Sequence, residues 1–470
     1  MLRTQMNFAG QKECGSTNSL FPVEMPVWYG SRGEVSPTWL SVCTEERHRT
    51  KDLMERIAHP KNLQEACKQV VRNGGSAGID KMSVKELKKW MGRNIINLSE
   101  QLLAGKFKPQ ATREVLIPKP QGGTRQLGIP TVIDRLVQQA VSQILNEIYD
   151  PTFSPNSFGF RPKRGAHQAL KQAVQYLNEG KTSIVDIDLE KFFDKVNHDR
   201  LMWLLGTRIG DKKVLRLISQ FLHTGILRDG MVGQRLAGTP QGSPLSPLLS
   251  NIVLDELDQE LWQRNLSFVR YADDMLIFVS HKEKALKVKL RITEVIEKRM
   301  KLKVNESKSG VRNRTEVVFL GHTFLSKGRL GVSQKNEDRF KAKLKSITQR
   351  KRGESLSTLI KQLRSVIRGW LNYFRHATMK SRMEKIDGWL RRRLKCFRLK
   401  QCKRCIGIVR FLRKLGVEET LCWRIGLSGK GWWRLSNSPA TNIGMNKKWF
   451  EEQGYYSLVT NYVKLHCKPL

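Results

Sequence analysis

Two short segments carry carboxylates in places where carboxylates are costly. Asp186 and Asp188 flank Ile187 in the otherwise apolar run Ser183-Ile184-Val185-Asp186-Ile187-Asp188-Leu189. Side chains alternate across a strand, so a strand over Ser183 to Leu189 puts both acids on one face. Asp273 and Asp274 stand side by side in Tyr271-Ala272-Asp273-Asp274. Phe268-Val269 precedes that tetrad and Met275-Leu276-Ile277-Phe278-Val279 follows it, which predicts a hairpin with two acids at its turn. Adjacent carboxylates repel, and acids among apolar neighbours must pair or hold a metal. If strand and hairpin are neighbours, three carboxylates converge. That is a ligand set for two magnesium ions, about 3.5–4 Å apart, bridging a triphosphate. The chemistry is then in-line nucleotidyl transfer, in which a 3′-hydroxyl attacks and pyrophosphate departs. Taken alone, the tetrad reads equally well as an ordinary polar turn.

The surrounding elements must position these acids. Leu53, Ile57, Leu63, Ala66 and Val70 are spaced as a helix, which Asn73-Gly74-Gly75 stops. Further helices are predicted over Val84 to Ala104, Gln138 to Tyr149, Ala166 to Asn178, Leu201 to Leu205, Val214 to Leu222 and Glu283 to Met300. Val115 to Pro118 reads as a strand before a Gly122-Gly123 turn, and Val317 to Phe324 as another strand. The irregular alternation predicts an α+β fold with helices packed on one face of a sheet. After about Asn336 the strands stop and basic residues concentrate. Lys335 to Leu415 holds 26 Lys+Arg against 5 Asp+Glu. There Leu356, Leu359, Ile360, Leu363, Val366, Ile367, Trp370, Leu371 and Phe374 form one apolar stripe, with Lys361, Arg364, Arg368 and Arg375 off it. A second helix, Arg382 to Lys400, sets Met383, Ile386, Trp389, Leu390, Leu394 and Phe397 against a run of arginines. One side packs and the other suits a phosphate backbone. A domain boundary is placed between Lys335 and Arg352.

The whole chain of 470 residues has 84 Lys+Arg, 43 Asp+Glu and a net charge of +41, which calls for a polyanionic partner. Its longest uncharged run, Leu236 to Leu254, holds Pro240, Pro244 and Pro247 and cannot be a lipid-facing helix. No basic-then-apolar leader opens the chain, so a cytoplasmic, nucleoid-associated protein without a membrane partner is expected; an organellar origin stays open. Cys402 and Cys405 form a lone C-x-x-C with no second pair, which reads as reduced thiols rather than a zinc site.

These motifs, in this order, resemble those of the reverse transcriptase–maturases encoded by group II introns, from about Leu53 to the C-terminus. The resemblance implies a right-hand polymerase fold, with fingers and palm over 51–335. A helical thumb or maturase domain over 336–435, a tail over 436–470 and an unassigned extension over 1–50 complete the chain. Asp188, followed at the family's spacing by the aromatic Phe193, matches the first catalytic motif, so Asp188 rather than Asp186 is the implied metal ligand. Asp273 and Asp274 complete the triad, and the Leu189 carbonyl adds a fourth ligand. By the same resemblance Lys119 and Arg125 hold the incoming triphosphate and Phe193 gates against a 2′-hydroxyl. Gln241 and Gly242, in Gln241-Gly242-Ser243-Pro244-Leu245-Ser246-Pro247, abut the nascent base pair together with Tyr271, and Lys308 lies near the leaving pyrophosphate. Ser157-Phe158-Gly159-Phe160-Arg161-Pro162 resembles an insertion of intron-type enzymes. The implied cofactor is Mg2+ (two ions, with Mn2+ as a substitute). The implied partners are intron RNA, an RNA template with its DNA primer, target DNA and dNTPs, and a homodimer is compatible. The implied function is RNA-directed DNA synthesis with help to intron splicing and retrohoming. The alternatives are a related enzyme co-opted for defence or repair, or a splicing-only maturase. No Cys/His cluster follows the maturase-like segment, so no bottom-strand DNA cleavage is expected.

Overall fold

The computed structural model describes residues 47–118, 122–228, 231–233, 237–240 and 242–466. It divides into two compact units. One comprises residues up to Ala173 together with Val185–Val311, and the other comprises Val174–Ile184 together with Arg312–Leu470.

In the first unit, helices α1 (Leu53–Ala58), α2 (Pro60–Asn73) and α3 (Leu87–Leu103) precede a hairpin of β1 (Thr112–Pro118) and β2 (Thr124–Ile129). Sequence reading found only the first of these strands, because β2 carries Arg125 and Gln126 among its few apolar residues. Helix α4 runs Val132–Tyr149 and starts six residues before its expected first turn. Thr131 caps it by accepting from the Asp134 amide, and Asp134 and Arg135 are buried inside the helix rather than outside it. Then follow α5 (Ala166–Asn178), β3 (Ser183–Asp188), α6 (Phe192–Lys195), α7 (His198–Arg208), α8 (Lys212–His223), β4 (Ile226–Arg228) and β5 (Met231–Gly233). The uncharged stretch ends in α9 (Ser246–Gln263). Its Pro247 sits in the first turn, where a missing N–H leaves no bond unmade. The hairpin of β6 (Ser267–Tyr271) and β7 (Asp274–Val279) leads into α10 (Lys282–Glu294), which continues as one wider π turn over Val295–Arg299.

Among the described residues the strands make three sheets, ordered β2-β1-β4-β5, β6-β7-β3-β8 with β8 at Gly310–Asn313, and β11-β10-β9. The last consists of β9 (Val318–Phe319), β10 (His322–Phe324) and β11 (Leu330–Val332). The single strand expected over Val317 to Phe324 is therefore broken. Leu320 and Gly321, at φ 49° and 77°, turn it back so that His322 pairs with Phe319. The second unit continues with α11 (Gln334–Ile347), α12 (Leu356–Tyr373), α13 (Lys380–Gln401), α14 (Cys405–Lys414), α15 (Glu419–Gly426), α16 (Trp432–Leu435), α17 (Pro439–Gly444), α18 (Lys447–Glu452) and α19 (Leu458–His466). Its core is the expected stripe: Leu356, Leu359, Ile360, Leu363, Ile367 and Leu371 of α12 are buried with Met383, Ile386, Leu390 and Leu394 of α13. No helix among the described residues is long and apolar enough to cross a membrane.

Candidate active site

The order β6-β7-β3-β8 sets the acid-bearing strand beside the acid-bearing hairpin. Asp188 ends β3 and Asp274 begins β7. Tyr271 pairs with Asp274, leaving Ala272 and Asp273 as the turn. All three aspartates are half-buried, and their charges act on one another. Burial pushes the Asp274 carboxyl up to about 7, helped by the carboxylates of Asp186, Asp273 and Asp188. Burial also raises Asp273 from the usual carboxylate range, and Asp188 adds to this while Arg125 and Lys308 oppose it. Asp186, which shares the face of Asp188, thus belongs to the same negative field.

Asp188 is held from the segment that follows α10. Its amide donates to Ser309 Oγ at 2.9 Å, its carbonyl accepts from the Asn305 amide at 2.9 Å, and its carboxylate lies 3.2 Å from Lys308 Nζ. The next residue, Leu189, bridges to Val304. Among the described residues no three acidic, His or Cys side chains close around one point. The donors nonetheless fit a hard divalent cation. They are all oxygens, and burial and mutual repulsion leave Asp273 and Asp274 in need of positive charge.

The turn itself rests on residues whose role the sequence alone did not disclose. Ala272 adopts φ 59°, a left-handed conformation that costs a non-glycine residue energy and needs support. Arg270, fully buried, supplies it: Nη1 donates to the Ala272 carbonyl at 3.0 Å and to Asn251 Oδ1 at 2.9 Å. Nε and Nη2 of the same guanidinium bind the buried Asp258 carboxylate at 2.6–3.0 Å. The insertion-like motif braces the other side. Phe158 donates its amide to the Arg270 carbonyl and the Arg270 amide donates to Asn156, both at 2.9 Å. Asn251 Nδ2 donates to the Gly159 carbonyl at 2.9 Å. A Cβ on Gly159 would lie 2.2 Å from the Ala272 nitrogen, so only glycine lets the two backbones meet. Arg161 shapes this loop by binding Asp150 and the carbonyls of Ser154 and Ser157.

A cavity of about 620 Å³ is lined by Arg125, Phe160, Phe193, Gly242 and Ser243, among others. Phe193 is half-buried and meets Phe160 edge-on at 6.5 Å. The Phe193 carbonyl accepts from Thr239, which ties the first acidic motif to the chain entering the Gly242 loop. Gly242 has φ 116°, and a Cβ there would lie 3.1 Å from the Gly128 carbonyl on β2. Arg125 is exposed and near enough to act on Asp273. Lys119 and Gln241 lie outside the described residues. Lys361, Arg364 and Arg368 stand exposed on α12 and Arg375 just beyond it.

Comparison with known proteins extends these findings. The family model described as "Reverse transcriptase (RNA-dependent DNA polymerase)" matches residues 117–324, and "Group II intron, maturase-specific domain" matches 338–416. Protein YkfC of Escherichia coli is 30% identical over 62% of the chain and 86% of its own length. The group II intron-encoded protein LtrA of Lactococcus lactis subsp. cremoris is 39% identical over 39% of the chain, and the match spans only 30% of that relative. A chain of a partial Cas6-RT-Cas1–Cas2 complex is 23% identical at TM-score 0.34, covering 53% of this chain and 43% of its own.

Proposed function

Since the chain belongs to the family of group II intron reverse transcriptase–maturases, we propose that it copies RNA into DNA and grips its intron RNA to assist splicing and target-primed insertion. The observation that carries the polymerase reading is the strand order that sets Asp188 at the end of β3 beside the β6–β7 turn with Asp273 and Asp274, within electrostatic reach of one another and of Arg125. In this reading those carboxylates and the Leu189 carbonyl hold two Mg2+ ions, with Mn2+ as a substitute. When bound, the ions supply Lewis-acid stabilisation of the attacking and leaving oxygens. Arg125, with Lys119, neutralises and orients the triphosphate. The Phe193 ring packs against the sugar and leaves no room for a 2′-hydroxyl. Gly242 lets the backbone approach the nascent pair, with Gln241 and Tyr271 beside it. Lys308 holds a positive charge at Asp188 and faces the departing pyrophosphate.

Primer extension on poly(rA)/oligo(dT) with Mg2+ tests the reading, and absence of any synthesis overturns it. In the same assay Phe193→Val is expected to keep dNTP incorporation within about tenfold while raising ribonucleotide incorporation by about tenfold or more. Loss of dNTP use without gain of rNTP use would make Phe193 a packing residue instead.

We propose further that 51–335 form fingers and palm, 336–435 the RNA-binding thumb and 436–470 a tail, and that target DNA, and in a homodimer a second copy, complete the assembly. Replacing Arg364, Arg368 and Arg375 together by Gln is expected to lower the salt dependence of intron-RNA binding by about 2–3 in the log–log slope. Splicing should fall with it while primer extension persists. An unchanged slope would remove this face from the RNA contact.

A further inference from the structure

The second unit carries a cluster that the proposed chemistry does not use. Helix α16 packs on α13, and there two consecutive arginines meet two tryptophans. The Arg392 guanidinium lies 4.0 Å from the centre of the Trp433 ring, and Arg392 Nη2 donates to the Trp433 carbonyl at 3.0 Å. The Arg393 guanidinium lies 5.2 Å from the Trp389 ring and is anchored on Thr348 Oγ1 at 2.6 Å. Trp433 nevertheless stays 41% exposed, an indole left in solvent beside cations. Arg392 Nε is buried with no hydrogen-bond partner. Cavities open on both sides. One, of about 380 Å³, is walled by Trp389, Trp433 and Cys396 with Lys345, Arg350 and Arg393. The other, of about 470 Å³, has Arg392, Arg424, Lys430 and Arg434 with the polar Asn437 and Ser438 and the apolar Leu421, Ile425 and Leu435. Neither is lined by an acid, although other cations of this unit, such as Arg352, Arg382 and Arg391, are paired with carboxylates.

Each part excludes a simpler ligand. A duplex backbone needs cations on an open face and gains nothing from a walled slot with indoles. A free inorganic anion needs the cations alone. Aromatic walls and a cation-lined cavity, linked by the Arg392–Trp433 contact, suit a nucleotide that has left its helix, with its base against an indole and its phosphates on the arginines. Folded RNA presents such nucleotides at bulges and loops, and base–indole stacking is tolerant of which base is offered.

We propose that the Trp389–Trp433 cavity captures an unpaired RNA nucleotide, and that Arg392, Arg424, Lys430 and Arg434 hold its flanking phosphates. The proposal rests on the reading of the second unit as RNA-binding, and it adds what that unit recognises. The test uses the full chain and two labelled RNA hairpins that differ only by one bulged adenosine, titrated at fixed salt. The wild-type chain should prefer the bulged hairpin by about tenfold. Trp433→Ala and Trp389→Ala should abolish that preference, leaving duplex affinity and primer extension unchanged, and Trp433→Phe should retain it. Arg424→Gln with Arg434→Gln should weaken the bulged hairpin more than the paired one. Equal affinity of the wild-type chain for both hairpins, or a preference that survives both alanine variants, overturns the proposal. So does an equal loss on both hairpins in the arginine variant, which would make the cation-lined cavity a plain backbone contact. Primer extension reads out the polymerase separately. A chain that prefers the bulge but does not extend a primer refutes the polymerase assignment and leaves this one standing.

Discussion

Asp274→Asn is expected to cut primer extension by about three orders of magnitude or more, equivalent to about 4 kcal/mol of lost transition-state stabilisation. The substitution keeps the shape of the side chain and removes one anionic oxygen from the group that would balance two divalent ions. It should not cost stability. Asp274 ionises against burial and against the carboxylates of Asp186, Asp273 and Asp188. With chelator present, removing its charge relieves repulsion, so the melting temperature should hold or rise. A functional residue that destabilises the fold it sits in is the usual signature of a site kept for chemistry. Activity within tenfold of wild type would take Asp274 out of the catalytic group. A fall in melting temperature of several degrees would show that its carboxylate is structural. Asp186→Asn is the informative comparison. It relieves the same field, yet the motif register assigns the metal to Asp188, so its activity should stay far above that of Asp274→Asn.

What could be read from the residues divides along physical lines. Helix α12 was legible because nine apolar residues at helical spacing admit one packed face, and that face is buried. Strand β3 and the β6–β7 hairpin were legible because apolar runs of strand length flank or enclose the acids, with Arg270 the one basic interruption. Short strands such as β4 and β5 were not, since three residues carry no periodicity; they pair with each other, and β4 joins the sheet only through the distant β1. The early start of α4 was missed because Asp134 and Arg135 look like solvent residues. Beside the local cap Thr131, their burial depends on partners at Gln110, Gly74 and Ser76 that no local window contains. The same holds at the site. Asp188, Asp273 and Asp274 announce themselves by being acids within or between apolar strands. Ser309, Asn251 and Asp258, which hold the framework around them, look ordinary until the fold brings them there. The Ser157-Phe158-Gly159 motif could be recognised by resemblance, but its physical reason is that Gly159 meets the Ala272 backbone too closely for any Cβ.

Arg270→Met is expected to destabilise the protein by about 3–5 kcal/mol, because it strands the fully buried Asp258 carboxylate without its counter-charge. The double variant Arg270→Met with Asp258→Leu removes both charges and should recover most of that stability, since buried ion pairs are commonly replaceable by apolar residues of similar volume. Activity should not follow. Both variants lose the Nη1 donors to the Ala272 carbonyl and to Asn251, so the left-handed turn that carries Asp273 is no longer braced. A displacement of about 1 Å at a catalytic group can cost roughly a hundredfold in rate. The double variant should therefore melt near wild type yet extend primers about a hundredfold more slowly, with the loss in kcat rather than in KM for dNTP. Arg270→Lys separates the roles again, because it restores a charge opposite Asp258 but cannot span Asp258, Asn251 and Ala272 at once. Recovery of activity along with stability in the double variant would reduce the network to a packing device. Recovery of stability alone would make Arg270 the residue that positions the turn for the chemistry.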